Sequence, residues 1–352
     1  MKLFPAVAVI CWSCVAAAAA GPGFYRFPAL HGDSVVFTAE GDLWKVPVTG
    51  GIAQRLTSHP GTESFASLSP DGQSVAFSAE YEGPAEVYVM PLEGGLPKRL
   101  TWNGEGSFPT GWTPQGRVLF TTKAFSTLPN DQLATVDPGS GEETVIPLAQ
   151  ASEGTTDDTG RQLFFTRLPF QGSSTKRYQG GTAQNLWRYD EGAPEAVALT
   201  PDFKGTSKNP MWWQGRVYFI TDRSGVANLW SMRPDGTDAQ PLTQHPEFDV
   251  KWARLHRGRI VYQQGADLRL LTLEGKVDTA IPITLGSDFD HTRERWVDKP
   301  MEFLTSVHLS PEGDRLALTA RGEVFTVPVE GGGRLVNVPR REGVRYREAA
   351  FL

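Results

Sequence analysis

The sequence predicts an all-β fold, a six-bladed β-propeller of four-stranded antiparallel blades followed by the first blade of a second, truncated propeller. Three observations lead there. First, short runs of β-branched, aromatic and aliphatic residues are separated by turn chemistry, as in Phe65 to Thr101, where Pro70-Asp71-Gly72 and Glu93-Gly94-Gly95 each set a reversal. Second, the same phrase returns at a fixed phase marked by Thr57, Thr101, Thr200, Thr243 and Thr284, with two units between Thr101 and Thr200. That period, roughly 40–45 residues, is the length of a propeller blade. Third, 37 Gly and 26 Pro in 352 residues exceed the usual ~12% and are spread evenly, so turns are needed throughout.

Taken in order, unit one runs from Phe24 to Thr57, unit two ends at Thr101 and unit three at about Leu148. Unit four extends to Thr200 because it carries an insertion, Pro169 to Gly181, between its second and third strands. Unit five ends at Thr243 and unit six near Leu285. Second and third strands are the most apolar, as in Val35-Val-Phe37 and Val217-Tyr-Phe-Ile220, because neighbouring blades cover both faces. Trp44, Trp187 and Trp230 stand at one phase of the Asp/Asn-Leu-Trp triplets and read as inter-blade packing residues. Unit one supplies its own innermost strand from Tyr25 to Leu30, and unit six ends with its own outermost strand near Ala280 to Thr284. The ring is therefore expected to close by side-chain packing, without strand exchange.

Residues 286–300 break the pattern with charge and without alternation, and read as a linker. The repeat then resumes over residues 301–352 with Ser310-Pro-Glu-Gly313 and Gly322-Glu-Val-Phe325. Arg345 to Leu352 is expected to open yet another blade, where the chain stops. One blade cannot bury its own faces, so these residues read as the start of an incomplete second domain.

Residues 1–20 are of another kind. Lys2 supplies a positive n-region, Leu3 to Val15 an apolar h-region and Ala16 to Ala20 small residues before Gly21, the pattern of a cleaved export signal. A retained anchor and a lipoprotein signal using Cys14 are the rivals, and Cys11-Trp-Ser-Cys14 lacks the usual approach to such a cysteine. The reading places the mature chain in the periplasm or outside the cell. Both cysteines lie in this segment, so the mature protein would be held by burial alone. A hydrophobic fraction of 39% with 10 Trp and 19 Phe is ample for a core, and no run after the signal approaches the ~20 apolar residues of a membrane span. Net charge is -6 with the signs intermixed, which argues against a nucleic-acid surface.

Candidate chemistry is sparse. Ser173-Ser-Thr-Lys176 has Ser-x-x-Lys spacing but lies in a Gly/Ser-rich insertion without a helix to set Lys one turn from the nucleophile. Asp288, Asp290 and His291 read as solvated linker charges, since no calcium loop or His-x-x-x-His accompanies them. His59-Pro60 and His245-Pro246 recur after the Leu-Thr ending of a blade, which argues for a structural loop role over a metal or a base. Ser69 and Ser310 are turn serines before Pro. There is no nucleophile elbow, His-Glu-x-x-His or phosphate-binding Gly loop. The expected catalytic, cofactor-binding and metal-ligating residues are none, and the chain alone is expected not to hydrolyse peptides.

The repeats resemble the WD40-like propeller repeats of tricorn-type proteases, of the Tol-system periplasmic propeller protein and of some prolyl-oligopeptidase relatives. Six units, a charged linker and a new opening with Arg293-x-Arg-Trp296, Ser310-Pro-Glu-Gly313 and Ala320-Arg-Gly-Glu-Val-Phe325 look most like the tricorn proteases. In that family a six-bladed propeller precedes a seven-bladed one, a PDZ domain and a serine-peptidase core. The resemblance implies a hydrolase whose propeller gates or channels peptide to a catalytic core absent from these residues, and leaves a homo-oligomer open for the full-length protein. Two features depart from the family, since its archetype is cytosolic and blade six matches the repeat poorly. The alternatives are a Tol-like propeller that docks a protein partner, and the propeller of an amidohydrolase or prolyl-oligopeptidase relative.

Overall fold

Each turn of the repeat reverses the chain, and the runs between turns pair as antiparallel ladders, four strands to a sheet. In the first sheet Arg26–His31, Ser34–Ala39, Asp42–Pro47 and Gly51–Arg55 pair in sequence order. Five further four-stranded sheets follow among the described residues up to 280. The computed structural model describes residues 24–169, 177–288, 296, 298–338 and 344–352 and divides into two units, Met1–Asp288 and Phe289–Leu352.

The first strands of successive sheets, Arg26–His31, Glu63–Leu68, Ser107–Trp112, Gly154–Thr156, Ser207–Trp213 and Val250–His256, pack against one another in order, and the last packs against the first. They ring an axis, as the innermost strands of a propeller do. The second strands are the most deeply buried: Val35, Val36, Phe37, Val217, Phe219 and Ile220 are fully shielded between neighbouring blades. Trp44 packs in a cluster that joins blade one to Val261 and Leu268 of blade six. Trp187 joins Leu119 and Leu133 of blade three, and Trp230 joins Phe164 and Leu186 of blade four. The triplet tryptophans are thus inter-blade packing residues, as expected.

Closure differs from the sequence reading. The outermost strand of blade six is Val277–Ala280, and the next residues, Ile283–Leu285, add a fifth strand parallel to Gly51, Ile52 and Ala53 of blade one. Pro282 has no N–H to continue the ladder of blade six, while the outer strand of blade one leaves unpaired backbone groups at its edge. Side-chain packing also contributes, since Tyr25, Leu30 and Trp44 share one cluster with Leu270, Ile281 and Ile283. Before Pro28 one backbone bond reaches blade six, Tyr25 N–H donating to Ala266 O at 3.0 Å, and the strand Arg26–His31 pairs within blade one. Gly50 permits the join: it has φ +82, and a Cβ there would lie 2.3 Å from the Pro282 carbonyl oxygen.

In the second unit Leu304–Leu309, Arg315–Ala320, Glu323–Pro328 and Val336–Asn337 form one antiparallel sheet after a 3-10 turn at Pro300–Phe303. Val307 and Leu309 on its first strand are each 51% exposed, as a blade face without a covering sheet would be. Residues 344–352 form no strand, against expectation. An innermost strand is defined by pairing with a second, and this segment is held instead by isolated bonds, from Tyr346 N–H to Gly322 O (3.0 Å) and from Ala349 N–H to the Thr319 hydroxyl (3.2 Å).

Candidate functional site

The innermost strands carry a repeated irregularity that builds the axis. In blades one, two, five and six the ladder slips by a bulge, and Phe27, Phe65, Asn209 and Trp252 sit at positive φ, 50°, 55°, 55° and 51°. Such a conformation is costly outside glycine and asparagine, and a bulge re-aims the side chain it carries. Here Phe65, Asn209 and Trp252 line a cavity of about 210 Å³ on the axis, together with Phe108, Asp131, Glu153 and Arg254.

One wall is aromatic. The rings of Phe27 and Phe65 lie 4.2 Å apart, Phe27 and Trp252 4.9 Å, and Phe65 and Phe108 5.4 Å, so blades one, two, three and six share a single arc. The other wall is polar and comes mostly from blades three to six. Asn209 ties three blades at this level: its backbone N–H donates to Glu153 Oε2 at 2.6 Å, its Nδ2 donates to Ala253 O at 2.9 Å, and its Oδ1 accepts from Ala253 N–H at 3.1 Å. Gly154 keeps that wall thin, because a Cβ there would meet Leu133 Cδ1 at 2.7 Å.

Charge on this wall is unevenly satisfied. Arg254 Nη1 donates to Ala253 O at 3.1 Å, while its Nε and the hydroxyl of Thr121 are buried without a hydrogen-bond partner in the protein. Burial holds the Arg254 guanidinium below its ordinary value, an effect opposed by Glu153. Burial likewise raises the Asp131 carboxyl, opposed by Lys123 and Ser152. A second cavity of about 210 Å³ lies further along the axis, lined by His31, Trp112, Trp212 and His256 among others, and shares Thr110, Pro210 and Arg254 with the first. Arg254 therefore stands where the two meet.

The residues weighed from sequence lie elsewhere. Ser173, Ser174, Lys176, Asp290 and His291 fall outside the described residues. The Ser69 hydroxyl donates to Asp71 and accepts from Ser74 N–H at 2.9 Å; that of Ser310 donates to Asp314 at 2.8 Å and accepts from Arg315 N–H at 3.0 Å. Both are turn clamps. The histidines hold the loops after their blades: His59 N–H donates to Asp42 Oδ1 at 3.3 Å, and His245 N–H donates to Asn228 Oδ1 at 2.8 Å. The imidazole of His245 further meets Tyr262 Oη at 2.8 Å and Asp278 at 3.3 Å. Among the described residues no three His, Cys, Asp or Glu side chains are grouped to hold a metal. The axial residues were not singled out in sequence. The one available signal was the recurrence of Phe65, Phe108 and Trp252 near the start of the innermost strands.

Sheets ringed about an axis, with a partly polar cavity on it and side-chain wedges between blades, define the class as a β-propeller with an axial cavity. Residues 22–276 match the family model described as the tricorn protease N-terminal beta propeller domain. The chain belongs to that family. It is 33% identical over 270 residues to "Tricorn protease homolog 1" of Streptomyces coelicolor, covering 76% of this chain and 25% of the relative. It is 32% identical over 343 residues to "Putative tricorn protease homolog 2" of the same organism, covering 94% of this chain and 29% of the relative. The crystal structure of the tricorn protease matches with a TM-score of 0.73 at 23% identity, over 91% of this chain and 32% of that one, and shares its fold. The chain thus spans about a quarter to a third of the length of the relatives it matches.

Proposed function

We propose that this chain is the N-terminal propeller part of an exported tricorn-like serine peptidase, and that it gates or channels peptide to a catalytic core lying outside residues 1–352. The observation that carries the reading is the family match over residues 22–276, with curated relatives of which the matched part is only 25% and 29%. The ring contributes no chemistry in this reading: peptide hydrolysis needs an activated nucleophile, a base within reach and oxyanion donors held rigidly together. The turn serines Ser69 and Ser310 have their hydroxyls engaged in their own turns. Residues 301–352 begin a second propeller, residues 286–300 link the two, and residues 1–20 direct the protein to the periplasm or beyond.

Two measurements test this. Purified Gly21 to Leu352 is expected not to hydrolyse peptides, while the product of the uninterrupted gene does; turnover by the shorter chain that is lost in Ser173→Ala overturns the assignment. Intact mass of the exported product is expected to show Gly21 at the N-terminus, and a retained Met1 refutes the signal reading.

A further inference from the structure

We propose that the clasp joining the inner hairpins of blades one and six is an acid-released latch, undone when His256 takes up a proton, so that acid loosens the ring at that end of its axis. Gly32 is the residue held. Its carbonyl accepts from Arg259 Nη2 and its N–H donates to His256 Nδ1 at 3.1 Å, so blade six grips both sides of the turn between Arg26–His31 and Ser34–Ala39. A backbone N–H can only donate. His256 therefore carries its hydrogen on Nε2 and keeps the Nδ1 lone pair for Gly32, and a further proton enters at Nδ1, where it sets one N–H against another and ends the bond.

A second imidazole extends the latch to blade two. The His31 ring lies 4.1 Å from that of His256, and its Nε2 donates to Pro70 O at 3.0 Å, beside Gly72, where a Cβ would meet the imidazole at 2.4 Å. Both rings line the second axial cavity. The charges around them are mostly positive, with Arg254 on the strand that carries His256, and Arg257 and Arg259 just after it. The acids at hand are already engaged: Asp33 pairs with Arg259 at 2.9 Å, and Asp71, which faces His31, accepts from the Ser69 hydroxyl and from Gln73 N–H at 3.0 Å. A proton on His256 thus arrives among cations. Burial, reinforced by His31, Arg257 and Arg259, pushes His256 down from 6.5 to about 4. Opening frees the ring to titrate near 6.5, so the open state gains protons over the closed one as pH falls from 6.5 to about 4; the latch is firm above that window and weakens through it.

Hydrogen exchange of the purified chain, corrected for the intrinsic pH dependence of amide exchange, tests the latch. Between about pH 7 and pH 4 the protection of Gly32 N–H is expected to fall by about tenfold or more relative to that of Gly51 N–H, which lies on the same seam but donates to the Pro282 carbonyl. His256→Asn places an amide oxygen where Nδ1 stood and accepts Gly32 N–H at every pH, so the fall is expected to vanish. Should that variant not fold, His31→Gln serves: it keeps a donor for Pro70 O and removes a positive neighbour, so His256 titrates closer to its ordinary value and the fall is expected to shrink. Equal protection of Gly32 at both pH values, a matching fall at Gly51, or an unchanged fall in either variant each overturns the latch.

Discussion

At the scale of residues, the threonine that ends each of four blades is a clip. Thr57, Thr101, Thr200 and Thr243 each accept the backbone N–H of a residue at the first or second position of a third strand, Leu43, Val87, Leu186 and Leu229, at 2.8 to 3.1 Å. Each also donates to a nearby acid or amide, Glu63, Glu86, Asn185 or Asn228. Thr243→Val should therefore leave the buried Leu229 N–H unmatched, while Asn228 Oδ1 keeps the His245 N–H, and lower stability by about 1–3 kcal/mol in urea unfolding. Glu63 is the more unusual partner. Burial, opposed by bonds from Thr57 and Tyr81, raises its carboxyl to about 7. A carboxyl raised in the folded state binds its proton more tightly there than in the unfolded chain, so its contribution is full below pH ~4.5 and lost as pH rises through 7. Glu63→Gln is expected to remove that slope, so that its melting temperature gains on the parent between pH 5 and 8; parallel melting profiles would refute it.

At the scale of elements, the closing strand is the feature on which the ring depends. Ile283–Leu285 reaches the edge of blade one only because Gly50 leaves room for the Pro282 carbonyl, to which Gly51 N–H donates at 2.8 Å. Gly41 has a similar φ, +90 against +82, but open space around it. Comparing the two isolates the join: Gly41→Ala carries the conformational cost alone, roughly 1 kcal/mol, whereas Gly50→Ala adds a clash and should cost more. Hydrogen exchange at Gly51 N–H is expected to quicken in Gly50→Ala and not in Gly41→Ala. If both variants behave alike, the parallel strand does not close the ring.

At the scale of the whole molecule, the two units differ in how well they bury themselves. The first has six sheets that cover one another, and its buried clusters each span neighbouring blades. Among the described residues the second has one sheet, with Val307, Leu309 and Val336 exposed. A lone blade lacks the neighbour that repeat architectures need. Limited proteolysis is expected to cut within residues 286–300 and leave a stable fragment of about residues 24–285; equal resistance across that segment would count against separate stability.

Strand order, blade membership and the apolar second strands were legible in the sequence because they depend on short-range facts, turn residues and a period. Pro70-Asp71-Gly72 reverses the chain wherever it stands, and Leu-Thr marks a blade end. Thr284 shows the limit of such reading: it keeps the phase of the repeat yet sits on the strand that has left blade six for blade one. Only the three-dimensional fold decided that, since the competition is between two sheet edges more than two hundred residues apart in sequence. The cavity was hidden for the same reason. Asn209, Ala253 and Glu153 meet by the packing of successive blades, Phe27, Phe65 and Trp252 turn toward one another through bulges that no local pattern encodes, and the surroundings of Arg254 come from several blades together.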